Sequence, residues 1–527
     1  YKGIIRHTGI KDVYNVSVAT ILISFLFGIL VTLNRVFDIL SFLKAPISII
    51  FIHFFVSIFL LIISRFLYKS LYNIFNTDSS NHTNILIYGA GDSGIFTMVA
   101  LQRDTKRNYN ILGFIDDDKK KVGKKINRIK IYGIGEIDSE LITRFHINEI
   151  IISIQNITSQ KLLTITDNLI QFPVKVKITP PVRTWIDGDL KSNQIKSVAI
   201  EDLLNRAPIN LSNPIIGREV NNKVILITGA AGSIGSEITR QLSRYTYAQL
   251  ILIDHSESAL YDLQQELKQL GKDNIISIVS NVTDFERMSQ IFSIYKPSHV
   301  YHAAAYKHVP LMEENPYEAI KTNITGTKTI ADLSLKNGVD RFVMISTDKA
   351  VNPTNIMGAT KRVAELYISC LSKKSKHLKF TTTRFGNVLG SNGSVIPLFK
   401  RQIAKGMPLT VTHKEITRYF MTIPEACSLV LEAGTMGEGG EIYIFDMGKA
   451  VKIFNIAKKM IHLSGLRYPE DIDIKITGLR PGEKLYEELL ANGENTLPTY
   501  NEKILIAKTK SLVCSSIKEK INALSKN

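Results

Sequence analysis

The apolar run Arg341 to Ser346 reads as a strand, and it ends in Thr347, Asp348 and Lys349, which set a hydroxyl, a carboxyl and an amine side by side. Groups of this kind move protons: a carboxyl serves as acid or base, and a lysine serves as base once its pKa falls. An Asp-Lys pair at a strand end is by itself more often a surface ion pair. Its context here reverses that reading, because Met357-Gly358-Ala359-Thr360-Lys361 follows, and residues four apart share one helical face. From that face Lys361 can reach a ribose, whereas the Met357 thioether cannot exchange a proton.

The elements that must position these groups come earlier in the chain. Val224-Ile225-Leu226-Ile227-Thr228 is a buried strand that opens into Gly229-Ala230-Ala231-Gly232-Ser233-Ile234-Gly235. In such a turn Gly229, Gly232 and Gly235 let the backbone approach a pyrophosphate, and the helix starting near Ser233 and Ile234 supplies N–H donors. The next strand, Leu250 to Ile253, ends in Asp254. A carboxylate there accepts ribose hydroxyls and repels a 2′-phosphate, which favours NAD over NADP. Strand ends recur at His299–Ala305, Arg341–Ser346 and Phe380–Asn387, the βα rhythm of a doubly wound parallel sheet. An earlier strand, Ile85 to Tyr88, opens into Gly89-Ala90-Gly91-Asp92-Ser93-Gly94, and Ile111–Ile115 ends in Asp116, Asp117 and Asp118. That predicts a second Rossmann-like domain, with a structural or regulatory role as open as cofactor binding.

The chain has 527 residues, enough for three or four units, and 45% hydrophobic against 21% charged residues excludes a disordered tail protein. Residues 13–34 and 45–64 are apolar runs without a charged side chain, long enough to cross a bilayer as helices. Basic residues before them (Lys2, Arg6, Lys11) and after them (Arg65, Lys69) favour cytoplasmic ends, although Arg35 and Lys44 also fall in the connecting loop. The chain starts at Tyr1 without an initiator Met, so upstream sequence is expected to be absent. The net charge of +17 is spread over all segments, and the densest run, Lys119 to Lys130, has no base-stacking aromatic, so nucleic acid is not an expected partner. Cys370, Cys427 and Cys514 lie too far apart in sequence to suggest a disulfide framework or a metal site, and no metal is expected. The expected organisation is a membrane segment over 1–75, a Rossmann-like domain over 76–172, a proline-containing linker arm over 173–221, a catalytic domain over 222–500 and a tail over 501–527.

From about Asn222 to Leu490 the chain resembles the extended short-chain dehydrogenase/reductases that act on nucleotide sugars. The resemblance rests on the glycine turn, Ala303-Ala304-Ala305, Asn323, Ser346-Thr347-Asp348-Lys349 and Arg384-Phe385-Gly386-Asn387-Val388-Leu389-Gly390. With Gly478-Leu479-Arg480-Pro481-Gly482-Glu483-Lys484 and the apolar runs, it is similar to the membrane-bound UDP-N-acetylglucosamine 4,6-dehydratases of bacterial polysaccharide biosynthesis and protein N-glycosylation (bacillosamine type). That subgroup usually has four N-terminal spans. Members of the superfamily normally carry Tyr-x-x-x-Lys; the Met at 357 departs from that pattern but is shared with the dehydratases of this type. Asn281, where Asp is common, should weaken one cofactor hydrogen bond.

The resemblance implies an α/β protein with a doubly wound Rossmann catalytic domain preceded by a second Rossmann-like domain and transmembrane helices, multi-pass in the bacterial inner membrane with its catalytic domain cytoplasmic. It implies NAD as cofactor, with Ala303, Ala304 and Lys361 beside it. It makes Asp348 the acid for the departing 6-hydroxyl, Lys349 the base at C5 and Thr347 a hydrogen-bond donor to the C4 oxygen. It places Asn387, Val388, Arg418 and Arg480 on the UDP-sugar substrate, where arginine's fork suits a diphosphate, and Glu483 on the uridine ribose, although a carboxylate at a helix start is equally expected as a dipole partner; Lys307, after the alanine run, lies within reach of the substrate or belongs to a polar loop. The pKa of Lys349 is expected to fall under Lys361, the cofactor charge and partial burial. A UDP-sugar 4-epimerase is the alternative enzyme, and a non-catalytic, nucleotide-sugar-sensing membrane scaffold the alternative outside catalysis. The oligomeric state, a homo-oligomer included, the C5 stereochemistry and the group that takes the C4 hydroxyl proton stay open.

Overall fold

The computed structural model describes residues 10–37, 46–75, 82–104, 107–185, 188–198, 202, 213–490, 495–508 and 514–524. They divide into two compact units, residues 1–83 with 105–108, and the remainder. In the first unit, helices Ile10–Phe37 and Ile47–Phe75 pack on each other. Their stretches Ser17–Phe37 and Ser48–Leu67 are long and apolar enough to cross a membrane, and most of their large side chains face outward. Lys2, Arg6 and Lys44 lie outside the described residues.

The second unit holds two nucleotide-type folds. In the first, strands β1 (His82–Tyr88), β2 (Asn108–Ile115), β3 (Lys125–Ile126), β4 (Ile129–Tyr132), β5 (Glu149–Ile152), β6 (Lys175–Ile178) and β7 (Lys196–Ser197) form one sheet in the order β3-β4-β2-β1-β5-β6-β7. β6 and β7 come from the segment expected to be a linker arm. The sequence Lys175-Val176-Lys177-Ile178 alternates polar and apolar residues with the period of a strand, a signal obscured by the surrounding prolines. Farther along the same segment, helix Pro214–Val220 buries Ile216 and Val220 in the core of the following domain. Residues 186–187, 199–201 and 203–212 of the arm, Pro208 among them, lie outside the described residues.

The second fold is built on β8 (Val224–Thr228), β9 (Gln249–Asp254), β10 (Ile275–Val279), β11 (His299–His302), β12 (Arg341–Ile345) and β13 (Lys379–Arg384). Past β13 come the short β14 (Asn387–Val388), β15 (Leu409–Val411), β16 (Thr417–Arg418) and β17 (Phe420–Met421), then β18 (Glu441–Phe445), β19 (Val451–Lys452), β20 (Ile474–Ile476), β21 (Asn495–Pro498) and β22 (Ile504–Lys508). The main sheet runs β10-β9-β8-β11-β12-β13-β18-β22-β21, parallel as far as β18 and antiparallel at its last two strands. Strand order reverses beside β8, so β8 and β11 diverge at their carboxyl ends and leave the crevice in which open α/β sheets bind ligands. The pairs β14–β17, β15–β20 and β16–β19 build a smaller lobe beside that crevice.

Two expectations about the chain's end are corrected. The segment 501–527 is no tail where it is described: β22 pairs with β18, and helix Cys514–Leu524 sets Ile521 into the core under the sheet. Cys370 and Cys514 form a disulfide, with their Cα atoms 5.4 Å apart, whereas Cys427 is free and buried. Sequence separation does not limit spatial separation once the last helix folds back on helix Ile356–Ser372.

The first nucleotide fold and the smaller lobe share one apolar core. Leu162, Ile165 and Val176 pack in the same cluster as Ile396, Phe399, Ile456 and Met460. Lys459 Nζ bonds Asp167 at 2.7 Å, and Lys175 bridges to Ser464 at the end of helix Ile453–Leu463.

Candidate active site

The glycine turn after β8 is shaped by contact. Gly229 sits at φ +65°, and a Cβ there would lie 2.6 Å from the Ala304 nitrogen and 2.8 Å from the Ala303 carbonyl carbon. A Cβ on Gly235 would overlap the Gly229 carbonyl oxygen, and one on Gly232 would stand 3.2 Å from the same oxygen. Helix Ser233–Leu242 begins at Gly232 without a side-chain cap, which leaves its first N–H groups without an intrahelical partner. Ser233 Oγ accepts from the Asn392 amide at 3.2 Å, which ties the turn to the loop after β14, while the Ile234 side chain is half-buried. Asp254, at the end of β9, accepts from the Ala231 amide and the Ser256 amide, both at 2.9 Å. The turn is thus close-packed against Ala303 and Ala304, with a carboxylate at the end of the neighbouring strand and an uncapped helix start beside it. Asn281 spends its Oδ1 on the amide and hydroxyl of Thr283.

The turn after β1 is built alike but filled differently. Gly89 has φ +116°, and Asp116 accepts from the Ala90 amide at 2.8 Å, as Asp254 does in the second fold. Lys121 Nζ also lies on Asp116 at 3.1 Å, and Asp117 holds the Tyr88 hydroxyl and Lys161. The acidic strand end is thus engaged by this domain's own residues.

Beyond β12, the chain brings Thr347, Asp348 and Lys349 together. The Thr347 hydroxyl donates to Asp348 Oδ1 at 2.9 Å, and Lys349 Nζ donates to the same oxygen at 3.0 Å and to Asn387 Oδ1 at 3.0 Å. Asp348 Oδ2 is buried and has no hydrogen-bond partner among the described residues. A Cβ on Gly386 would stand 3.0 Å from it, so the glycine leaves room for that oxygen. Lys361 donates to the Ile345 carbonyl at 2.7 Å, and burial pulls its pKa down to about 8. Helix Ile356–Ser372, which carries Lys361, is capped by Asn355, whose Oδ1 accepts from the Gly358 amide at 2.7 Å. Met357 does not join the polar groups; it is buried with Met312 and Ala319 and packs against Tyr306 and Val309.

The expectation for the Lys349 pKa is reversed. Burial lowers it, but the carboxylates of Asp348 and Glu487 outweigh burial and the Arg418 charge and hold Lys349 above the usual lysine value. Glu487 was absent from the sequence reading. It lies 3.5 Å from Lys349 Nζ and 3.6 Å from Arg418 Nε, and the signal for it was the Tyr486-Glu487-Glu488 run just past the Arg480-Pro481-Gly482-Glu483-Lys484 segment.

The expected substrate groups divide into two sets. Asn387 and Val388, on β14, and Lys307, which reaches Ser391 Oγ at 3.3 Å, line the loop beside Ser233. Arg418 is buried on β16 and points one guanidinium nitrogen at the Thr417 and Leu485 carbonyls. Glu483 lies 3.4 Å from both Arg418 and Arg480, so the residue expected on a ribose is shared between the two arginines expected on a diphosphate. Beneath the site, Arg384 and Glu365 form a buried bidentate pair, and Glu365 also accepts from Ser346 Oγ at 2.7 Å and from Arg362 at 2.9 Å. Asn323, fully buried, ties the Tyr306 backbone to Thr360 in helix Ile356–Ser372.

Residues 225–509 match the model of a family described as "Polysaccharide biosynthesis protein", and residues 5–180 match one described as "CoA-binding domain". The chain is 44% identical to a "Capsular polysaccharide biosynthesis protein CapD" of Staphylococcus aureus over 88% of its own length and 78% of that protein. It is 36% identical to a "UDP-N-acetylglucosamine 4,6-dehydratase (inverting)" of Campylobacter jejuni over 53% of its length and 80% of that protein. It is 34% identical to a "UDP-glucose 4-epimerase" of Rickettsia canadensis over 51% of its length and 78% of that protein.

Proposed function

The chain belongs to the polysaccharide biosynthesis protein family, and we propose that within it the chain is an NAD-dependent 4,6-dehydratase, a hydro-lyase acting on UDP-N-acetylglucosamine. The observation that carries this reading is the Asp348–Lys349 pair: two proton-transfer groups 3.0 Å apart, one with a buried unpartnered oxygen, beside a helix whose Met357 is packed away in apolar surroundings. An epimerase needs a proton-transfer group at O4 alone, and the residue that normally supplies it is the tyrosine replaced here by Met357. A scaffold that only senses nucleotide sugars has no use for the pair at all.

The Gly229–Gly235 turn, Asp254, Ala303, Ala304 and Lys361 would hold NAD, which when bound would accept hydride from sugar C4 and return it to C6. Thr347 donates to the C4 oxygen. Asp348 Oδ2 takes the C4 hydroxyl proton and passes it to the departing 6-hydroxyl, which leaves as water. Lys349 takes the proton from C5, acidic beside a C4 carbonyl, and returns it to C5 when C6 is reduced, so protons balance over the cycle. Lys349 acts in this way only after losing the proton that Asp348 and Glu487 hold on it. Arg418 and Arg480 grip the UDP diphosphate by exchanging Glu483 for it, and Lys307, Asn387 and Val388 line the sugar.

The purified chain, incubated with UDP-N-acetylglucosamine, is expected to give the 4-keto-6-deoxy product, seen by its alkaline absorbance, and nucleotide extracted from it is expected to be NAD by mass spectrometry. Release of the 4-epimer without a keto product would replace this reading by the epimerase, and recovery of NADP alone would overturn the role given to Asp254. Helices Ile10–Phe37 and Ile47–Phe75 anchor the chain in the bacterial inner membrane, with the catalytic domain in the cytoplasm where nucleotide sugars are made. Protease added to intact cells stripped of outer layers is accordingly expected to spare everything after Lys69; digestion there would reverse the topology.

A further inference from the structure

Residues Arg480 to Glu488 lie as a strap across the loop that runs from Lys349 to Asn355. The Gly482 carbonyl accepts from Asn355 Nδ2 at 3.1 Å and from Thr354 Oγ at 3.3 Å, Lys484 Nζ donates to the Val351 carbonyl at 3.1 Å, and Glu488 accepts from Asn352 Nδ2 at 2.9 Å. Glu487 turns inward from this strap. Its side chain is 4% exposed, Oε1 lies 3.5 Å from Lys349 Nζ and 3.6 Å from Arg418 Nε, and Oε2 is buried with no hydrogen-bond partner among the described residues. A carboxylate oxygen left unsatisfied in the interior is costly, and packing alone does not ask for one.

The charged groups acting on Lys349 are Asp348 on its own turn, Glu487 on the strap and Arg418 on β16; Asn387 on β14 accepts a hydrogen bond without titrating. Asp348 is committed to the C4 and 6-hydroxyl protons. Glu487 is therefore the carboxylate whose attachment to Lys349 the reaction leaves otherwise unused.

We propose that Glu487 is a positioning residue: it holds Lys349 against Asn387 as an ammonium and thereby sets the pH above which Lys349 works as a base. This rests on the reading of Lys349 as the C5 base. Glu487 reaches no reacting atom; it acts through Lys349. Its place between Lys349 and Arg418 also gives the base and the diphosphate grip one shared carboxylate.

Two readouts on the full-length chain test this. The first is trace acetylation of Lys349 across pH, read peptide by peptide by mass spectrometry, which reports when the amine loses its proton and needs no turnover. The second is the pH dependence of kcat for 4-keto product formation from UDP-N-acetylglucosamine. Glu487→Gln removes a negative charge from the ammonium, so the acetylation midpoint is expected to fall by about one pH unit or more, the usual effect of one close opposite charge. The acidic limb of the kcat profile is expected to move down with it, with KM changing far less than the limb. Glu487→Asp keeps the charge and is expected to retain most of the midpoint. An unmoved midpoint in Glu487→Gln overturns the proposal, and so does a fall in Glu487→Asp as large as in Glu487→Gln, since packing and not charge would then be at work. Should Glu487→Gln not fold, Glu487→Asp carries the test: its shorter side chain draws the carboxylate back, so a small downward shift is expected and none overturns the proposal. If the unaltered chain makes no keto product, the dehydratase reading fails on that result alone, while the acetylation midpoints still decide whether Glu487 holds Lys349.

Discussion

Asp348→Asn and Lys349→Ala are each expected to lower turnover at least ~100-fold, the usual scale for removing a general acid or base. Both chains should keep bound nucleotide, because neither side chain touches the Gly229–Gly235 turn. The two are distinguishable by where they stall. In Lys349→Ala the C4 hydroxyl still meets Asp348, so a trace of 4-keto sugar with an intact 6-hydroxyl is expected, while uptake of deuterium from solvent at C5 should stop. In Asp348→Asn the proton of the C4 hydroxyl has no acceptor at Oδ2, and no keto sugar should form. Met357→Tyr is expected to change little or to harm modestly, since a phenol at 357 enters the apolar cluster of Met312 and Ala319 and not a vacant proton-transfer position. Full turnover with C5 deuterium uptake in Lys349→Ala would transfer the role of base to Lys307 or Lys361.

The largest expected effect on stability lies one layer beneath the site. Glu365 and Arg384 are both essentially fully buried and joined by two hydrogen bonds of 2.8 and 2.7 Å. Removing one member of such a pair typically costs ~3–5 kcal/mol, because the other charge stays buried. Glu365→Ala should therefore lower the denaturation midpoint of the catalytic domain sharply. It should also loosen Ser346, whose hydroxyl Glu365 holds next to Thr347. Burial pushes the Glu365 pKa up, but Arg384, Arg362 and Ser346 outweigh it and hold the carboxyl below its usual value. A depressed carboxylate contributes stability above its unfolded pKa of ~4.3 and loses it as pH falls through the lower folded value. The gap between the parent and Glu365→Ala should accordingly close at strongly acid pH and stay constant from neutrality down to about pH 5. An equal midpoint for both at pH 7 would mean that Arg384 is satisfied without Glu365.

What could be read from the sequence was what covalent spacing encodes. The glycine turn, Asp254 at a strand end, the Thr347-Asp348-Lys349 run and the offset from Met357 to Lys361 all sit within a few residues of one another or of a strand end, and their places in the fold follow from that. Glu487 escaped because it reaches Lys349 from a strap with no regular secondary structure, far along the chain. The electrostatics of Lys349 invert for two reasons: Asp348, adjacent in sequence, raises its pKa by charge and hydrogen bond more than any other group, and Glu487 adds to that, whereas Lys361, the cofactor and burial alone would point down. Glu483 shows the same gap, since no spacing rule tells that it spans both Arg418 and Arg480. The arm and the tail were misread for another reason. Prolines and a terminal position point to a connector, whereas the short alternating strand Lys175–Ile178 and the apolar Ile504–Ala507 are enough to add strands to two sheets.

Cooperativity follows from the apolar cluster that Leu162, Ile165 and Val176 share with Ile456 and Met460. Helix Ile453–Leu463 begins where β19 ends, and β19 pairs with the Thr417-Arg418 strand. Melting of the first nucleotide fold would uncover the underside of that helix and, through β19, unsettle Arg418. The boundary between the two folds in sequence is therefore not a boundary between two independently melting bodies. If Arg418 holds the substrate as proposed, a bound ligand would stabilise, by mass action, residues in the first fold that it never touches, and a lesion in that first fold would register as weakened binding.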